Sequence, residues 1–314
     1  MILTVTANPS IDRTVQLDGP LIPGGVHRPV GVVDQPGGKG VNVARVVDAA
    51  GLPTMAVAPA HAGDSFVHHL ERAGLPHSAI DVAGDVRVNL TIADPDGVTT
   101  KINAPGAKLD AAEAQSLVTA IVEHAAHADW LALCGSLPPG LPATWYADVI
   151  GALRGVGVHI AVDTSGAPLR HVAAAGPDLM KPNSEELAEL TGADPVALES
   201  AAADGDPSEA ARASIALAES TRGAVLTTLG GAGAVLAVGG EAWFASAPEV
   251  RVRSTVGAGD ASLAGYLIAD HAGADPADRL ARAVAYGSAA ASLPGTTPPT
   301  PDLLDHARIT VTRL

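Results

Sequence analysis

The sequence predicts an α/β protein in which a mostly parallel central sheet carries helices on both faces and a small β-sheet lid projects from it. Three observations support this fold class. Short β-branched runs alternate with longer Ala/Leu patterns of helical period along most of the 314 residues, which is typical of parallel sheets with crossover helices. Four further strand-like runs follow one another without intervening helices. Apolar residues make up 47% of the chain and aromatic residues only 3%, so a sizeable core must be built from Ala, Val and Leu.

The alternating part of the chain supplies the elements of the main sheet. Strands are predicted at 2–6, 54–59, 130–134, 157–163, 224–229 and 233–238, with a further short strand ending at "LM" before "KPN". Helices are predicted at 40–50, 64–73, 110–126, 142–154, 183–191, 208–220, 259–273 and 276–292. Because parallel strands end at the same edge of a sheet, residues that follow these strands are expected to share one ligand site.

Two segments, 12–35 and 86–104, interrupt the alternation and predict the lid. Each contains two strand-like runs, at 12–17 with 27–33 and at 86–93 with 98–103. The second pair is a hairpin around the turn "DPDG". The lid is expected to be part of one domain that spans residues 1–314, and to cover a ligand.

Charge and cysteine content exclude several classes of function. The formal net charge of −15 argues against nucleic acid or an anionic membrane as a partner. The single cysteine, Cys134, excludes an internal disulfide and fits a reducing cytoplasm. The N-terminal "MILTVTANPS" lacks a basic segment, so it is predicted to be a first strand rather than a signal peptide. Glycines break the uncharged stretch between Arg222 and Glu241, which therefore predicts two short strands rather than a membrane span.

The stretch "RSTVGAGDASLAGYL" (253–267) places Gly257, Ala258 and Gly259 directly before Asp260 and an apolar helix. An acid in the first turn of a helix is commonly explained by the free N–H groups and the dipole alone. That explanation leaves the glycines unaccounted for. Residues without a Cβ let backbone amides approach an anion closely, so we predict an anion hole with a carboxylate beside it.

A second glycine-rich stretch, "DQPGGKGVNVARVV" (34–47), surrounds Lys39 just before a helix. It fails the P-loop pattern because Gly40 stands where Ser or Thr must follow the lysine, and it fails the dinucleotide fingerprint because Val43 replaces the third glycine. A flexible, basic helix entry that binds an anionic or hydroxyl-rich ligand, with Asn42 near the helix start, fits the stretch. A glycine-rich turn with a solvated lysine fits it equally well.

Two further strand ends carry polar residues. In "LALCGSLPPGL" (131–141) the loop lacks the nucleophile-elbow spacing, so Ser136 is predicted to form hydrogen bonds rather than attack a substrate. In "LMKPNSEELAEL" (179–190), Asn183 and Glu186 are three residues apart at the start of a helix. Locally, a capping box is the stronger interpretation of this pair. Beside a phosphate site, the carboxylate would instead organise hydrated Mg²⁺.

Taken together, these motifs resemble the phosphofructokinase B family of ribokinase-like sugar kinases along essentially the whole chain. The stretches that carry the resemblance are "TANPSID" (6–12), "GGKGVNVAR" (37–45), "RVNLT" (87–91), "NAPG" (103–106), "GSLPPG" (135–140), "KPNSEEL" (181–187), "TTLGGAGA" (227–234) and "STVGAGD" (254–260). The resemblance implies an α/β/α sandwich with a β lid over the sugar. It also implies ATP as the phosphoryl donor, Mg²⁺ as cofactor, and a homodimer joined through the lids.

The resemblance also assigns roles to individual residues. Asp260 matches the catalytic base, and Gly257, Ala258 and Gly259 match the anion hole. Acceptor binding is implied for Asp12, Arg28, Gly37, Gly38, Lys39, Asn42, Arg87, Asn103 and Ser136, among which Arg28, Lys39 and Arg87 match positions that hold the acceptor's own phosphate. Nucleotide binding is implied for Lys181, Asn183, Glu186, Thr228, Gly230 and Gly233, with Asn183 and Glu186 on the magnesium side. Val26 departs from relatives that carry a second basic residue for the sugar phosphate.

The form "GGKGVN" favours fructose 1-phosphate as the acceptor, because it resembles the subgroups that phosphorylate fructose 1-phosphate or tagatose 6-phosphate. Tagatose 6-phosphate and fructose 6-phosphate are the alternatives, followed by an unphosphorylated sugar or a nucleoside, which would not need Arg28 or Arg87. A phosphosugar-binding module without catalysis is a different class of protein, and Asp260 with its glycines argues against it. A dinucleotide-dependent dehydrogenase shares the fold class, but both candidate fingerprints fail.

Overall fold

A computed structural model describes residues 1–314. The strands are β1 (Ile2–Thr6), β2 (Ser10–Gln16), β3 (Gly31–Gly37), β4 (Thr54–Pro59), β5 (His77–Ile80), β6 (Arg87–Ala93), β7 (Thr99–Ile102), β8 (Trp130–Cys134), β9 (His159–Asp163), β10 (Leu179–Met180), β11 (Ala224–Thr228), β12 (Gly233–Val238), β13 (Glu241–Ser246) and β14 (Val311–Arg313). The α-helices are α1 (Lys39–Ala49), α2 (Ser65–Arg72), α3 (Ala111–Ala125), α4 (Trp145–Ala152), α5 (Ala167–Ala175), α6 (Ser184–Thr191), α7 (Pro195–Ala203), α8 (Ser208–Thr221), α9 (Ala258–His271) and α10 (Pro276–Ala291).

Ten strands form the central sheet in the order β14-β13-β12-β11-β10-β9-β8-β1-β4-β5. The seven strands β11, β10, β9, β8, β1, β4 and β5 are parallel to one another. The remaining strands, β12, β13 and β14, extend the sheet beyond β11 with antiparallel pairing. The predicted fold class is therefore confirmed. The register aligns Thr6 of β1 with Cys134 of β8, and Cys134 with Asp163 of β9. The carboxyl ends of these strands consequently lie side by side.

Helices cover both faces of this sheet and create two apolar layers. On one face, α1, α9 and α10 pack against the sheet around residues such as Leu263 and Tyr266. On the other, α3, α4 and α5 pack around Leu117 and Tyr146, and α6, α7 and α8 continue the layer beside β11 and β12. Side chains alternate between the faces of a strand, and strand β11 shows this directly, since Val225 faces α8 while its neighbours face α9 and α10.

The lid is a second sheet of four strands in the order β3-β2-β6-β7. Its register places Asp12, Arg87 and Asn89 on one face, because β2 and β6 pair Ser10 with Arg87 and Asp12 with Asn89. By the same alternation, the opposite face is mostly apolar and includes Val15, Val32, Val88, Leu90, Ile92 and Ile102, with the ion pair of Arg13 and Asp34 as its charged group. The lid therefore has one polar face and one mostly apolar face, which we call the apolar face.

One predicted lid strand is wrong in its position. Residues 27–30 have no regular structure, and β3 instead runs from Gly31 to Gly37. Pro36 and Gly37 both disfavour strands, but β3 is an edge strand, where a missing N–H is tolerated, and its pairing with β2 continues through Pro36 opposite Ile11.

Several elements were not predicted, namely α5, α7, β5, β13 and β14. For α7 a signal existed, because Asp194 caps the helix and Pro195 takes its first position, the arrangement that typically starts a helix. The terminal strand β14 has only three residues, too few for a periodic pattern. None of the helices combines the length and hydrophobicity that crossing a bilayer would require.

Candidate active site

Polar residues lie along the carboxyl edge of the central sheet, and they include the predicted site residues Ser136, Lys181 and Thr228 as well as two that were not predicted, Asn8 and Asp163. Asn8 follows β1, Ser136 follows β8, Asp163 ends β9, Lys181 follows β10 and Thr228 ends β11. Side chains from five neighbouring parallel strands thus reach one region, as expected for an open α/β sheet. The lid strand β2 begins only a few residues after β1 and stands over this edge.

Asp260 lies in the first turn of α9 and is only 6% exposed. The residue before the helix, Gly257, has φ 82°, a left-handed conformation that favours glycine. Asn42 of α1 donates a hydrogen bond from Nδ2 to Asp260 Oδ2 at 2.8 Å. Burial, followed by the nearby charge of Asp163, raises the pKa of Asp260 to about 6. Asp260 is therefore a buried carboxylate whose affinity for a proton suits a general base.

Asp163 is the functional residue that the sequence analysis missed. Its Oδ1 accepts a hydrogen bond from Lys39 Nζ at 2.6 Å, and its Oδ2 lies 3.1 Å from Lys181 Nζ. Burial raises the pKa of this carboxyl, but the two ammonium groups outweigh burial, so the pKa lies below its usual range. The carboxylate is ionised and joins the two predicted site lysines, Lys39 and Lys181. The available signal in the sequence was an acidic residue at the end of the strand predicted at 157–163.

Burial alone would lower the pKa of Lys39, but the negative charges of Asp163 and Asp260 more than compensate and raise it. Its side chain is 36% exposed, so part of it remains open to solvent or a ligand. Lys39 is thus a charged group beside Asp260, and the interpretation of a merely solvated lysine does not hold.

The glycines before α1 are needed because other groups approach them closely. A Cβ on Gly37 would lie 2.3 Å from Asp12 Oδ2, and a Cβ on Gly38, which has φ 110°, would lie 2.4 Å from Thr6 Cγ2. Gly40 has the same constraint, with a Cβ 2.6 Å from Thr6 Oγ1. The hydroxyl of Thr6 accepts a hydrogen bond from the backbone N–H of Val41. These contacts bring the helix start close to the end of β1 and bring the carboxylate of Asp12 against its backbone.

The polar face of the lid carries a second group of predicted residues. Asp12 Oδ1 accepts hydrogen bonds from Ser10 Oγ at 2.8 Å and from Asn89 Nδ2 at 3.2 Å. Arg87 donates to the carbonyl oxygens of Ala104 at 2.8 Å and Asn8 at 3.1 Å, and its buried Nε has no partner. Burial lowers the pKa of Arg87, partly offset by the charge of Asp12.

Asn8 connects this face to the main sheet, although the sequence analysis gave it no role of its own. Its Nδ2 donates to Pro105 O at 3.0 Å and approaches Ser136 Oγ at 3.3 Å. Gly106, with φ 96°, lies so close to this amide that a Cβ would meet Asn8 Oδ1 at 2.1 Å. Asn8 therefore brings together the segment after β7, the loop after β8 and the guanidinium of Arg87.

Two predicted acceptor-binding residues are not brought into this cluster. Arg28 lies in the irregular segment between β2 and β3, is exposed, and forms no hydrogen bond or ion pair within the chain. Asn103, directly after β7, is likewise exposed and forms no side-chain hydrogen bond. Nearby Val26 is 92% exposed. Neither Arg28 nor Asn103 therefore forms a side-chain hydrogen bond with the other site residues.

A cleft of about 860 Å³ opens on the other side of Asp260. Its lining includes the predicted nucleotide residues Asn183, Thr228, Gly230 and Gly233, together with Ala258 and Gly259 of the predicted anion hole. Gly233 has a structural reason to be glycine, because a Cβ would lie 2.0 Å from Ala245 O. Lys181 lies at the end of the cleft, where a Cβ on Gly259 would be 3.3 Å from its Nζ.

Asn183 and Glu186 form the capping box that the local sequence favours. Asn183 Oδ1 accepts from the backbone N–H of Glu186 at 2.8 Å, and Glu186 Oε2 accepts from the backbone N–H of Asn183 at 2.9 Å. Glu186 is nevertheless 8% exposed, and burial followed by the charge of Asp163 raises its pKa. Its Oε1 forms no hydrogen bond within the chain, whereas the only amide oxygen of Asn183 is already engaged. Glu186 therefore fits a hydrated cation better than Asn183 does.

Comparison with known proteins agrees with this arrangement. The family model described as pfkB family carbohydrate kinase matches residues 5–303. The chain is 36% identical to a 1-phosphofructokinase of Rhodobacter capsulatus over 99% of this chain and 96% of that protein. It is also 36% identical to a 1-phosphofructokinase of Haloferax volcanii over 100% and 99% of the two chains. A crystal structure of phosphofructokinase-2 from Escherichia coli in complex with substrates and products superimposes with a TM-score of 0.87, at 29% identity and 96% coverage of both chains.

Proposed function

Because the chain belongs to the pfkB family of carbohydrate kinases, we propose that it transfers the terminal phosphoryl group of ATP to a hydroxyl of a sugar phosphate. The proposed acceptor is fructose 1-phosphate and the proposed product is fructose 1,6-bisphosphate, formed by transfer to O6. Tagatose 6-phosphate and fructose 6-phosphate are the alternative acceptors. The relatives named 1-phosphofructokinase, each 36% identical to this chain, support the choice.

The observation that carries the proposal is the position of Asp260 between the two halves of the site. Asn42 holds its carboxylate on the lid side, while Ala258 and Gly259 of the same helix start line the nucleotide cleft. A hydroxyl on the lid side and a phosphoryl group in the cleft would therefore meet beside one buried carboxylate. That is the requirement of an in-line phosphoryl transfer.

In the proposed reaction the acceptor oxygen forms a bond to the γ-phosphorus as the bond from that phosphorus to the ADP oxygen breaks. Asp260 accepts the proton of the attacking hydroxyl, for which a pKa raised to about 6 is well matched near neutral pH. The backbone N–H groups of Gly257 and Gly259 at the start of α9 would donate to the charge on the transferred group, whereas the N–H of Ala258 already donates to Thr255 O at 3.4 Å.

The acceptor's own phosphate requires positive charge in a protein whose formal net charge is −15. We assign this role to Arg87 at the start of β6 and Lys39 at the start of α1, with Ser136 linked to Arg87 through Asn8. The unpartnered Nε of Arg87 is a donor left for such a phosphate, since buried donors are normally paired. Arg28 is retained as a further candidate.

The site also fits Mg²⁺ through Glu186. The Oε1 of this mostly buried carboxylate forms no hydrogen bond within the chain, while Oε2 makes the capping contact, and Mg²⁺ commonly binds one or two carboxylates and otherwise keeps its waters. Bound there, the ion would neutralise charge on the nucleotide phosphates. Lys181, Thr228, Gly230 and Gly233 are the proposed nucleotide contacts.

The proposal is tested by ADP release with fructose 1-phosphate, fructose 6-phosphate and tagatose 6-phosphate, each in the presence of ATP and Mg²⁺. We expect the highest kcat/KM with fructose 1-phosphate. A hundredfold higher kcat/KM with either 6-phosphate would contradict the assigned acceptor but not the sugar-kinase activity. Binding of ATP without binding of NADH, measured by fluorescence titration, would separate a kinase from a dehydrogenase of the same fold class.

We further propose that residues 1–314 form one kinase domain that acts in the cytoplasm as a homodimer joined through the lids. The apolar lid face leaves Val32 53% and Ile102 57% exposed, which is unfavourable in water and characteristic of an interface. The lid also has open edges at β3 and β7, which invite pairing.

Light scattering at micromolar concentration should therefore give the mass of a dimer, and Val32→Asp should shift it to that of a monomer. Val33 is the matched control, because it is 50% exposed and, by alternation, points to the polar face. Val33→Asp is expected to remain dimeric. A monomeric wild-type protein, or equal dissociation of both variants, would contradict a dimer built on the apolar face.

A further inference from the structure

Two segments of the main domain meet at the base of the lid. One runs from His61 to Asp64, directly before α2, and the other comprises Asp85 and Val86, directly before β6. Asp64 is 5% exposed, and its two carboxylate oxygens serve different elements. Oδ1 accepts a hydrogen bond from the backbone N–H of Phe66 at 2.7 Å and caps α2, while Oδ2 accepts one from the backbone N–H of Val86 at 2.8 Å.

The amide that Asp64 holds belongs to the residue directly before Arg87. The Val86 side chain is packed in the same apolar cluster as Phe66 of α2 and Ile11 of β2. From this point, the guanidinium of Arg87 reaches Asn8 O at 3.1 Å and Ala104 O at 2.8 Å. The position of the Val86 amide consequently determines where the Arg87 side chain begins.

We infer that Asp64 is a positioning residue for the acceptor phosphate, because it fixes the start of β6 and thereby the guanidinium of Arg87. This inference rests on the proposed function, in which Arg87 binds that phosphate. It assigns to Asp64 a role in substrate affinity beyond the capping of α2. A buried hydrogen bond to an ionised acceptor is among the stronger ones in proteins, and small displacements of a binding group reduce catalysis strongly.

The geometry requires a carboxylate at this position, which makes the role separable from capping. Asn and Ser cap helices about as well as Asp. Asn has only one oxygen, however, so its NH₂ group would face one of the two backbone donors. Ser has a single oxygen on a shorter side chain. Either substitution can preserve the cap of α2 while leaving the Val86 N–H without an acceptor.

A neighbouring contact joins the same two segments but is exposed. His61 Nε2 lies 2.9 Å from Asp85 Oδ1 and 3.8 Å from Asp64 Oδ2, and the Asp85 side chain is 90% exposed. Exposed pairs of this kind contribute little. The buried Asp64 contact is therefore the one that should hold β6 in place.

The inference is tested with Asp64→Asn and Asp64→Ser in the full-length protein. We expect KM for fructose 1-phosphate to rise roughly tenfold to a hundredfold, while kcat and KM for ATP stay within about twofold. Asp275→Asn is the matched control, because Asp275 caps α10 through the N–H of Asp278 and forms no other side-chain hydrogen bond. His61→Ala should likewise change KM less than about twofold.

A double-mutant cycle distinguishes positioning from general loosening of the protein. If Asp64 acts through Arg87, then Asp64→Asn in an Arg87→Ala background should add less than about twofold to KM, because the two effects share one contact. If Asp64→Asn raised KM by the same factor in the wild-type and Arg87→Ala backgrounds, the inference would be overturned. An unchanged KM for fructose 1-phosphate in Asp64→Asn and Asp64→Ser would also overturn it. The same holds if both Asp64 variants fail to fold while Asp275→Asn folds normally.

Hydrogen exchange supplies a measurement that does not depend on catalysis. In Asp64→Asn, the amides of residues 86–90 should exchange faster than in wild type, while those of α2 should be unchanged. If the wild-type protein phosphorylated none of the three sugar phosphates but this exchange pattern appeared, the proposed function would fail and the role of Asp64 at β6 would stand. Unchanged exchange at residues 86–90 would overturn the role of Asp64 whatever the substrate.

Discussion

The two sides of Asp260 present different kinds of groups to a ligand. On the lid side, the groups are long or ionisable side chains, namely Asp12, Arg87 and Asn89, with Lys39 below them. The cleft proposed for the nucleotide has no lysine or arginine in its lining, which consists of glycines, small residues and glutamates, and Lys181 lies at its end. In the proposed function, a sugar phosphate would meet mainly charged side chains, and a nucleotide would meet mainly backbone and small residues. Truncating side chains on the lid side should therefore lower kcat/KM for the sugar phosphate. Enlarging small residues in the cleft should lower kcat/KM for ATP.

The largest effect is expected at the junction of the two sides. Asp260→Asn keeps the shape of the side chain and its compatibility with a helix start, but it removes the proton acceptor. We expect near-normal folding and ATP binding with kcat lowered roughly 10²- to 10⁴-fold, measured by ADP release.

Asp278→Asn is the matched control for this substitution, since Asp278 also lies in the first turn of a helix but is exposed and does not line the cleft. It should leave kcat unchanged. If Asp260→Asn retained more than about a tenth of the wild-type kcat, the assignment of Asp260 as the base would be wrong, and helix-start electrostatics would be its main role.

The next largest effect should appear on the acceptor side. Arg87→Ala removes a charge-assisted contact to the acceptor phosphate, which we expect to lower kcat/KM for fructose 1-phosphate about 30- to 1000-fold. KM for ATP should change far less. Arg13→Ala is the control, because this second lid arginine pairs with Asp34 at 2.6 Å on the other face. An unchanged KM for the sugar phosphate would contradict the role assigned to the lid.

The pKa of Asp260 makes a prediction about stability that needs no substrate. Its folded pKa of about 6 lies above the ordinary value of 3.8, so between these pH values the folded state binds a proton that the unfolded state does not. Stability contributed by this group should therefore increase as pH falls from about 7 to 4. Relative to Asp260→Asn, the wild-type protein should gain about 1 to 3 kcal/mol of unfolding free energy over this range. Urea denaturation at several pH values measures the difference, and a pH-independent difference would indicate an ordinary pKa.

The smallest effect is expected on the nucleotide side. Gly259→Ala adds a Cβ that would lie 3.3 Å from Lys181 Nζ, close enough to displace the ammonium group slightly and to narrow the cleft. We expect kcat/KM for ATP to fall about threefold to thirtyfold, with KM for the sugar phosphate unchanged.

Stability should not decrease in Gly259→Ala, since Ala is favoured over Gly within a helix. The matched control is Gly151→Ala in α4, where a Cβ meets nothing within 4 Å. It should raise stability without changing either KM. If Gly259→Ala lowered kcat/KM equally for ATP and for the sugar phosphate, the two sides of the site would not respond separately.

Much of the fold followed from local patterns. The alternation of strands and helices predicted the parallel sheet, and the helix predicted at 259–273 was found at Ala258–His271 with Asp260 in its first turn. The predictions failed where local signals were weak or outweighed. The strand predicted at 27–33 lies instead at Gly31–Gly37, because the pairing of this edge strand with β2 extends through Pro36, and β14 pairs with β13 through only three residues.

The sequence by itself determined which residue types follow each strand, because a strand end and a helix start have local signatures in apolar period, capping residues and glycines. Only the tertiary structure decided which of them touch. Asn42 and Asp260 are 218 residues apart, and Lys39 and Asp163 are 124 apart. Such contacts depend on strand order and on the crossings of the helices, which no local pattern specifies. Asp163 therefore became visible as the carboxylate between two site lysines only when β9 was placed between β8 and β10.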